Sequence, residues 1–588
     1  MTSIDDLFKK PHLPSNKRKL DVHRNSDQVY KSAKPTSNGD VKGKDHVAYT
    51  IEEDPIEEND GVAGPELPPD EDDAVPDDEE GRFFGSGVNR NTVEVLNFID
   101  ERDAEPYVPE KVDASWVRKM ALNFEKKISR NAELRVKFES DPPKFMASEA
   151  DLDTEVKALS ILAQHPELYG DFAKLGCVSS LISLLSLENT DIAIDAIEVI
   201  SELIDEDVEA EQTQWSVIVD AMLESDLLGL LVQNFERFDE SEEPDRNAVY
   251  HALSIIEGLA SQASISNKIG QETSLFKWLL ARMQRKESPV GQNKQYAAEV
   301  LAILLQSSTE NRKRLAALDG VDLLLQLLSA YRKRDPEKDS NEEEYVENVF
   351  DALTCMVDEA EGKRNFVDAE GVELCLIMLR EGKMSKSRAL RLLDHALGGT
   401  YGAGVCERLV DAAGLKTIFG MFMKRQDNEA AEHLLGIFAA LLRLLPGESA
   451  SRIRTLAKFV EKDYEKIAKI LKMRREYATK VATVNQQIQR ERATLSAEDQ
   501  EEIADKWFSR RLDAGLYCLQ TIDVVLVWLA AEDDGARRKI VELLAQRGES
   551  LNDIKSTLQE QLDGLQDTTT DEEQASKDML STLILFVQ

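Results

Sequence analysis

The sequence predicts an all-α solenoid of stacked helical repeats, and three observations carry that reading. From about residue 90 of the 588-residue chain onward, apolar positions recur at three- and four-residue steps, with no convincing strand period. Glycine and proline fall mostly between the helical segments. A phrase made of a small or acidic residue, a glycine and a leucine-rich amphipathic run returns along the chain, each time followed by a second apolar helix.

The phrase reads LGCVSSLISLL at 175–185, LDGVDLLLQLL at 318–328, AEGVELCLIML at 369–379 and AAGLKTIFGMF at 412–422, anchored on Gly176, Gly320, Gly371 and Gly414. The separations of 144, 51 and 43 residues leave room for two degenerate copies in the first interval, where DLLGLLVQNF (226–235) and SLFKWLLARM (274–283) stand. The second helices are IAIDAIEVISELI at 192–204, AVYHALSIIEGLA at 248–260, YAAEVLAILLQ at 296–306, VFDALTCMV at 349–357 and HLLGIFAALLRLL at 433–445. Period and content fit armadillo or HEAT units, in which two or three helices per ~40 to 47 residues stack on their neighbours. Each glycine is expected to end a helix in a left-handed conformation that other residues adopt at a cost, so that the chain turns sharply. Such a solenoid buries one continuous core and presents a long concave face. Its ends expose apolar surface that flanking helices or a second copy of the chain must cover, which leaves a homodimer open.

Charge divides the chain further. Residues 1–80 are expected to be a disordered tail: 1–50 carry ten Lys/Arg against six Asp/Glu, and 51–80 carry fifteen acids, no base and five prolines. The N-terminal helical cap is placed at 81–150, the armadillo-like repeats at 151–445 and a C-terminal helical region at 446–588. Of the formal net charge of -39, the part after residue 80 holds -28, from 62 basic and 90 acidic residues. Such a body repels a phosphate backbone and favours basic partners. Inside it, residues 451–492 carry twelve bases against five acids, with Tyr477, Val481, Val484 and Ile488 as an apolar seam. This reads as a long basic helix that packs on the solenoid end or on a partner; direct RNA contact is its alternative. The final STLILFVQ reads as buried.

Nothing in the chain carries an enzyme's chemistry, and no cofactor or metal is expected. GGTYGAG at 398–404 resembles a nucleotide loop, but Val405 stands where a P-loop needs lysine and a helix precedes it, so it reads as a linker between repeats. His395, near Asp394 on an apolar helix, has no metal-ligand spacing around it. Cys355 and Cys375 lie inside apolar helical runs and read as core; five scattered cysteines imply a reducing compartment. No signal peptide and no uninterrupted apolar stretch of roughly 18 residues is found, so a soluble intracellular protein without membrane contact is expected.

The tail contains KKPHLPSNKRKL, in which Lys9 and Lys10 precede Lys17, Arg18 and Lys19. Such clusters suit the acidic groove of an import receptor, and they form the candidate nuclear localisation signal. The six residues between the clusters are fewer than the usual bipartite signal has.

Several phrases are shared with a known family: DEEGRFFGSG at 78–87, KFMASEADLD at 144–153, LVQNFERFDES at 231–241, AAEVLAILLQ at 297–306 and RRLDAGLYCLQ at 510–520. Through them the chain resembles the beta-catenin-like protein 1 family of nuclear, spliceosome-associated armadillo proteins, in the right order from position 78 onward. The resemblance implies a non-enzymatic scaffold of the nineteen complex in pre-mRNA splicing. It further implies binding to the Lys/Arg-rich localisation segments of splicing factors, among them a Myb-type subunit of that complex. Import receptors clamp basic peptides with Trp-x-x-x-Asn pairs, but here Met120, Val219, Arg282, Arg511 and Glu532 follow Trp116, Trp215, Trp278, Trp507 and Trp528 at that spacing. Partner binding is therefore expected to rest on carboxylates. A transport adaptor carrying basic cargo is the alternative function.

Overall fold

The computed structural model describes residues 111–588 apart from 426, 497, 498, 501, 502, 566–570 and 588. The expected disordered tail, its localisation signal and the cap residues 81–110 lie outside the described residues.

Among the described residues the regular structure is helical throughout. After the first helix, Ala114–Lys137, eight helices stack side by side in chain order as a long ladder. They are Met146–Ala158, Thr190–Leu203, Glu243–Ala260, Gln292–Gln306, Asn341–Met356, Met384–Leu397, Asn428–Leu444 and Leu516–Glu532. A middle ladder runs through Leu227–Arg237, Thr273–Gln284, Gly320–Ser329, Gly371–Glu381 and Gly414–Phe422. A third, of short helices, links Thr309–Ala316, Ala360–Asp368 and Ala403–Asp411. The central repeats thus have three helices each, the armadillo arrangement, and every phrase and second helix expected from the sequence is helical.

Local chemistry explains where these helices begin. Ser340 Oγ accepts from the Glu343 N–H at 3.3 Å, and Asp427 Oδ1 accepts from the Ala430 N–H at 2.8 Å, each satisfying a donor that the first turn leaves without a partner. Between the ladders, Leu301, Leu324, Leu353, Leu393, Leu409 and Phe438 are buried. Burial of each such side chain contributes roughly 1.5–3 kcal/mol. Two buried or half-buried asparagines tie short helices to the repeat before. Asn311 Nδ2 donates to the Ser266 carbonyl at 3.0 Å, and Asn365 Nδ2 to the Ala316 carbonyl at 3.3 Å.

The C-terminal region departs from expectation in two places. The basic stretch forms Ala450–Arg492, but its backbone is non-helical from Glu461 to Tyr464, with Lys462, Asp463 and Tyr464 left-handed at φ +55°, +53° and +62°. Beyond that break, Tyr477, Val481 and Ile488 of the expected seam are buried, and the helix packs on Leu516–Glu532 and Asp534–Ala545. The terminal STLILFVQ is buried on one side only: Leu583, Ile584 and Val587 are covered, while Leu585 and Phe586 are 65% and 53% exposed. Its helical twist places these two opposite the packed stripe. The 398–404 segment is the turn between Met384–Leu397 and Ala403–Asp411, as expected. No single helix among the described residues is long and apolar enough to cross a membrane.

Candidate functional site

The repeat-turn glycines set how one helix is aimed at the next. Gly176 behaves as expected: it is left-handed, φ +78°, with open space where a Cβ would stand. Gly320, Gly371 and Gly414 do not. At those turns the left-handed residue is the one before the glycine, Asp319 (φ +55°), Glu370 (φ +58°) or Ala413 (φ +57°), and the degenerate copy at 226 uses Asp226 (φ +63°). The glycine is the first residue of the next helix, and it is there for room. A Cβ on Gly320 would stand 2.6 Å from Leu315 Cγ, on Gly371 2.4 Å from the Phe366 ring, and on Gly414 2.4 Å from Leu409 Cδ1. The side chain of the preceding short helix fills the space that the missing methyl leaves, closing the turn between ladders. The signal was in the sequence: a leucine or phenylalanine stands five residues before each of these three glycines.

Some cations of the body are directed inward. Arg312 donates to the carbonyls of Leu305 (2.8 Å) and Gln306 (3.2 Å) at the end of Gln292–Gln306, and Lys363 to those of His395 (2.7 Å) and Ala396 (3.1 Å) at the end of Met384–Leu397. Helix C-termini carry a partial negative charge and carbonyls without partners, so they attract these side chains.

The basic stretch follows the same rule. Arg452, 2% exposed, donates to Leu441 O at 3.2 Å and pairs through Nε with Glu532 at 2.9 Å. Lys466, also 2% exposed, meets Glu461 at 2.8 Å. Lys469 reaches Lys424 O at 2.7 Å, Arg474 pairs with the fully buried Asp523 at 2.6 Å, and Arg475 reaches Leu543 O at 2.6 Å. Arg454, Lys462, Lys472, Lys480, Arg490 and Arg492 of the same stretch are exposed.

Polar pairs also stitch the long ladder from side to side. Arg388 Nε meets Glu347 at 2.9 Å, Arg391 pairs with Asp351, His395 Nδ1 lies 3.1 Å from Asp358, and His433 Nδ1 lies 3.0 Å from Asp394. His395 therefore takes its carboxylate from Asp358 and not from its neighbour Asp394, which faces the next rung. Burial opposes the charge on the His433 ring, but the Asp394 carboxylate outweighs it and holds the pKa above the ordinary value. Each pair joins residues 37 to 41 positions apart, about one repeat. That spacing is the signal by which the pairs could have been read from the sequence.

Cys375 is buried in the core and Cys355 is half-buried, and burial pushes both thiols up to about 12, which keeps them protonated and poor nucleophiles. No group of three or more His, Cys, Asp or Glu among the described residues is arranged to hold a metal ion. Lys9, Lys10, Lys17, Arg18 and Lys19 lie outside the described residues.

A family model described as "Catenin-beta-like, Arm-motif containing nuclear" matches residues 93–559. The chain is 38% identical to a "Beta-catenin-like protein 1 homolog" of Schizosaccharomyces pombe, over 85% of this chain and 87% of that one. It is 37% identical to "Beta-catenin-like protein 1" of Rattus norvegicus and 36% identical to that of Homo sapiens, each over 78% of this chain and 83% of the relative.

Proposed function

The chain belongs to the catenin-beta-like family of nuclear Arm-motif proteins, and from that membership we propose a non-enzymatic scaffold of pre-mRNA splicing complexes in the nucleus. In this reading its acidic solenoid surface holds Lys/Arg-rich segments of splicing factors, including a Myb-type subunit of the nineteen complex. The observation that supports it most is the net charge of the body. Arg312, Lys363, Arg452 and Arg474 are turned to helix ends and buried carboxylates, while the body as a whole keeps 90 acids against 62 bases. A surface of that sign draws cationic segments, sets their encounter rate and rejects polyanions.

Attraction of this kind is screened over about 8–10 Å at physiological salt. Titration of the full chain with a lysine- and arginine-rich peptide is expected to show binding that weakens roughly tenfold between 50 and 200 mM salt. Salt-insensitive binding, or none, overturns the reading. Affinity purification from nuclear extract is expected to recover splicing subunits; recovery of import or export receptors in their place selects the transport-adaptor alternative.

A further inference from the structure

At the start of the long ladder, a cleft of about 950 Å³ opens between the 158–166 segment and the residues that follow Thr190–Leu203. Half-buried Ile161, Pro166 and Val208 give it an apolar lining, and exposed Glu202, Asp205 and Glu209 give it charge. Resting on the reading above, we propose that this cleft receives a lysine or arginine side chain of a partner protein's basic segment.

Four features converge on a long cationic side chain. The three carboxylates stand where Thr190–Leu203 ends, and a helix C-terminus adds partial negative charge of the same sign. Lys157, the cation of the lining, is already neutralised: its Nζ lies 2.8 Å from Asp153 and 3.2 Å from Asp195. Behind Lys157, Asp195 is only 6% exposed and holds that lysine together with Asp153, so Lys157 offers the cleft no free positive charge. The apolar residues match the methylene stem of lysine or arginine, which packs on carbon while its head stays with carboxylates and water. An anionic or purely apolar ligand would leave the carboxylates without a counter-charge.

The test uses the full chain and a fluorescent alternating Lys-Arg octapeptide at about 150 mM salt. The reversal Glu202→Lys with Asp205→Lys is compared with Glu407→Lys plus Glu448→Lys, an equal charge change at exposed sites far along the chain. The cleft pair is expected to weaken binding at least tenfold and the distant pair less than threefold, with melting temperatures showing that both variants fold. Equal weakening by the two pairs, or unchanged binding by the cleft pair, overturns the cleft and leaves the acidic scaffold standing; failure of the wild type to bind removes both. In a second measurement, a photo-crosslinking lysine analogue at the centre of the peptide is expected to label residues 157–166 or 202–209. Labelling confined to other segments overturns the cleft even if the charge reversals weaken binding.

Discussion

Phe366 occupies the space in which a side chain on Gly371 would begin, its ring carbons 2.4 Å from the position of a Cβ there. The same relation holds between Leu315 and Gly320 and between Leu409 and Gly414, so the three turns are closed by contact, with the strained backbone angle carried by the residue before.

Two substitutions separate room from angle. Gly371→Ala is expected to destabilise the protein by about 1–3 kcal/mol, because the ring must shift in a packed core. Ala413→Gly, at φ +57°, is expected to stabilise it by up to about 1 kcal/mol, since relief of the left-handed strain outweighs the added unfolded-state entropy. Urea unfolding of both variants checks the pair, and the opposite order would count against the assignment.

Arg474 and Asp523 form a buried ion pair, and burial pushes the Asp523 carboxyl up to about 6 even beside that guanidinium. Arg474→Met is expected to cost about 3–5 kcal/mol near pH 8, where it strands a buried carboxylate. The loss should shrink as the solution is acidified and Asp523 takes up its proton, and Arg474→Met with Asp523→Leu should recover most of it. Denaturant midpoints at two pH values decide this.

Asp195 behaves in a related way at the other end of the chain. Burial, and then the neighbouring Asp153 carboxyl, raise it from an ordinary carboxylate to about 7. A raised folded-state pKa means that the neutral form favours folding. Its contribution is complete below the unfolded value of 3.8 and is lost as the pH rises through about 7. Asp195→Asn, which stays neutral and can donate to Asp153, is expected to raise the melting temperature by a few degrees near pH 8 and to have little effect near pH 4. A pH-independent change would show that charge at this position is not what matters.

The basic tail is tested in cells. Replacing Lys17, Arg18 and Lys19 with alanine together is expected to lower the nuclear-to-cytoplasmic ratio of a tagged chain several-fold, with restoration by an appended localisation signal. Retention at the wild-type ratio when partner proteins are depleted would remove that role.

The helices themselves were legible because amphipathic period and turn residues are local properties: the runs at 192–204, 248–260, 296–306, 349–357 and 433–445 all lie in long-ladder helices. The glycine phrase was legible as punctuation but misread as chemistry, since whether a glycine supplies angle or room depends on Leu315, Phe366 or Leu409 folding back onto it. The basic stretch at 451–492 is the sharpest case. Its composition reads as a long basic helix packed on the solenoid end, but only the fold separates the buried Arg452, Lys466 and Arg474 from the exposed Lys462 and Lys472.

By itself, then, the sequence determined the helical repeat class, the division of charge between tail and body, and the family. Each follows from residue order along one chain. Only the tertiary structure decided which charges face water and which helix end or carboxylate each cation serves. It also decided that Glu202, Asp205 and Glu209 share one cleft with Ile161 and Pro166. Charge acts through distance and dielectric, and both are set by the stacking of repeats that lie about forty residues apart in the chain.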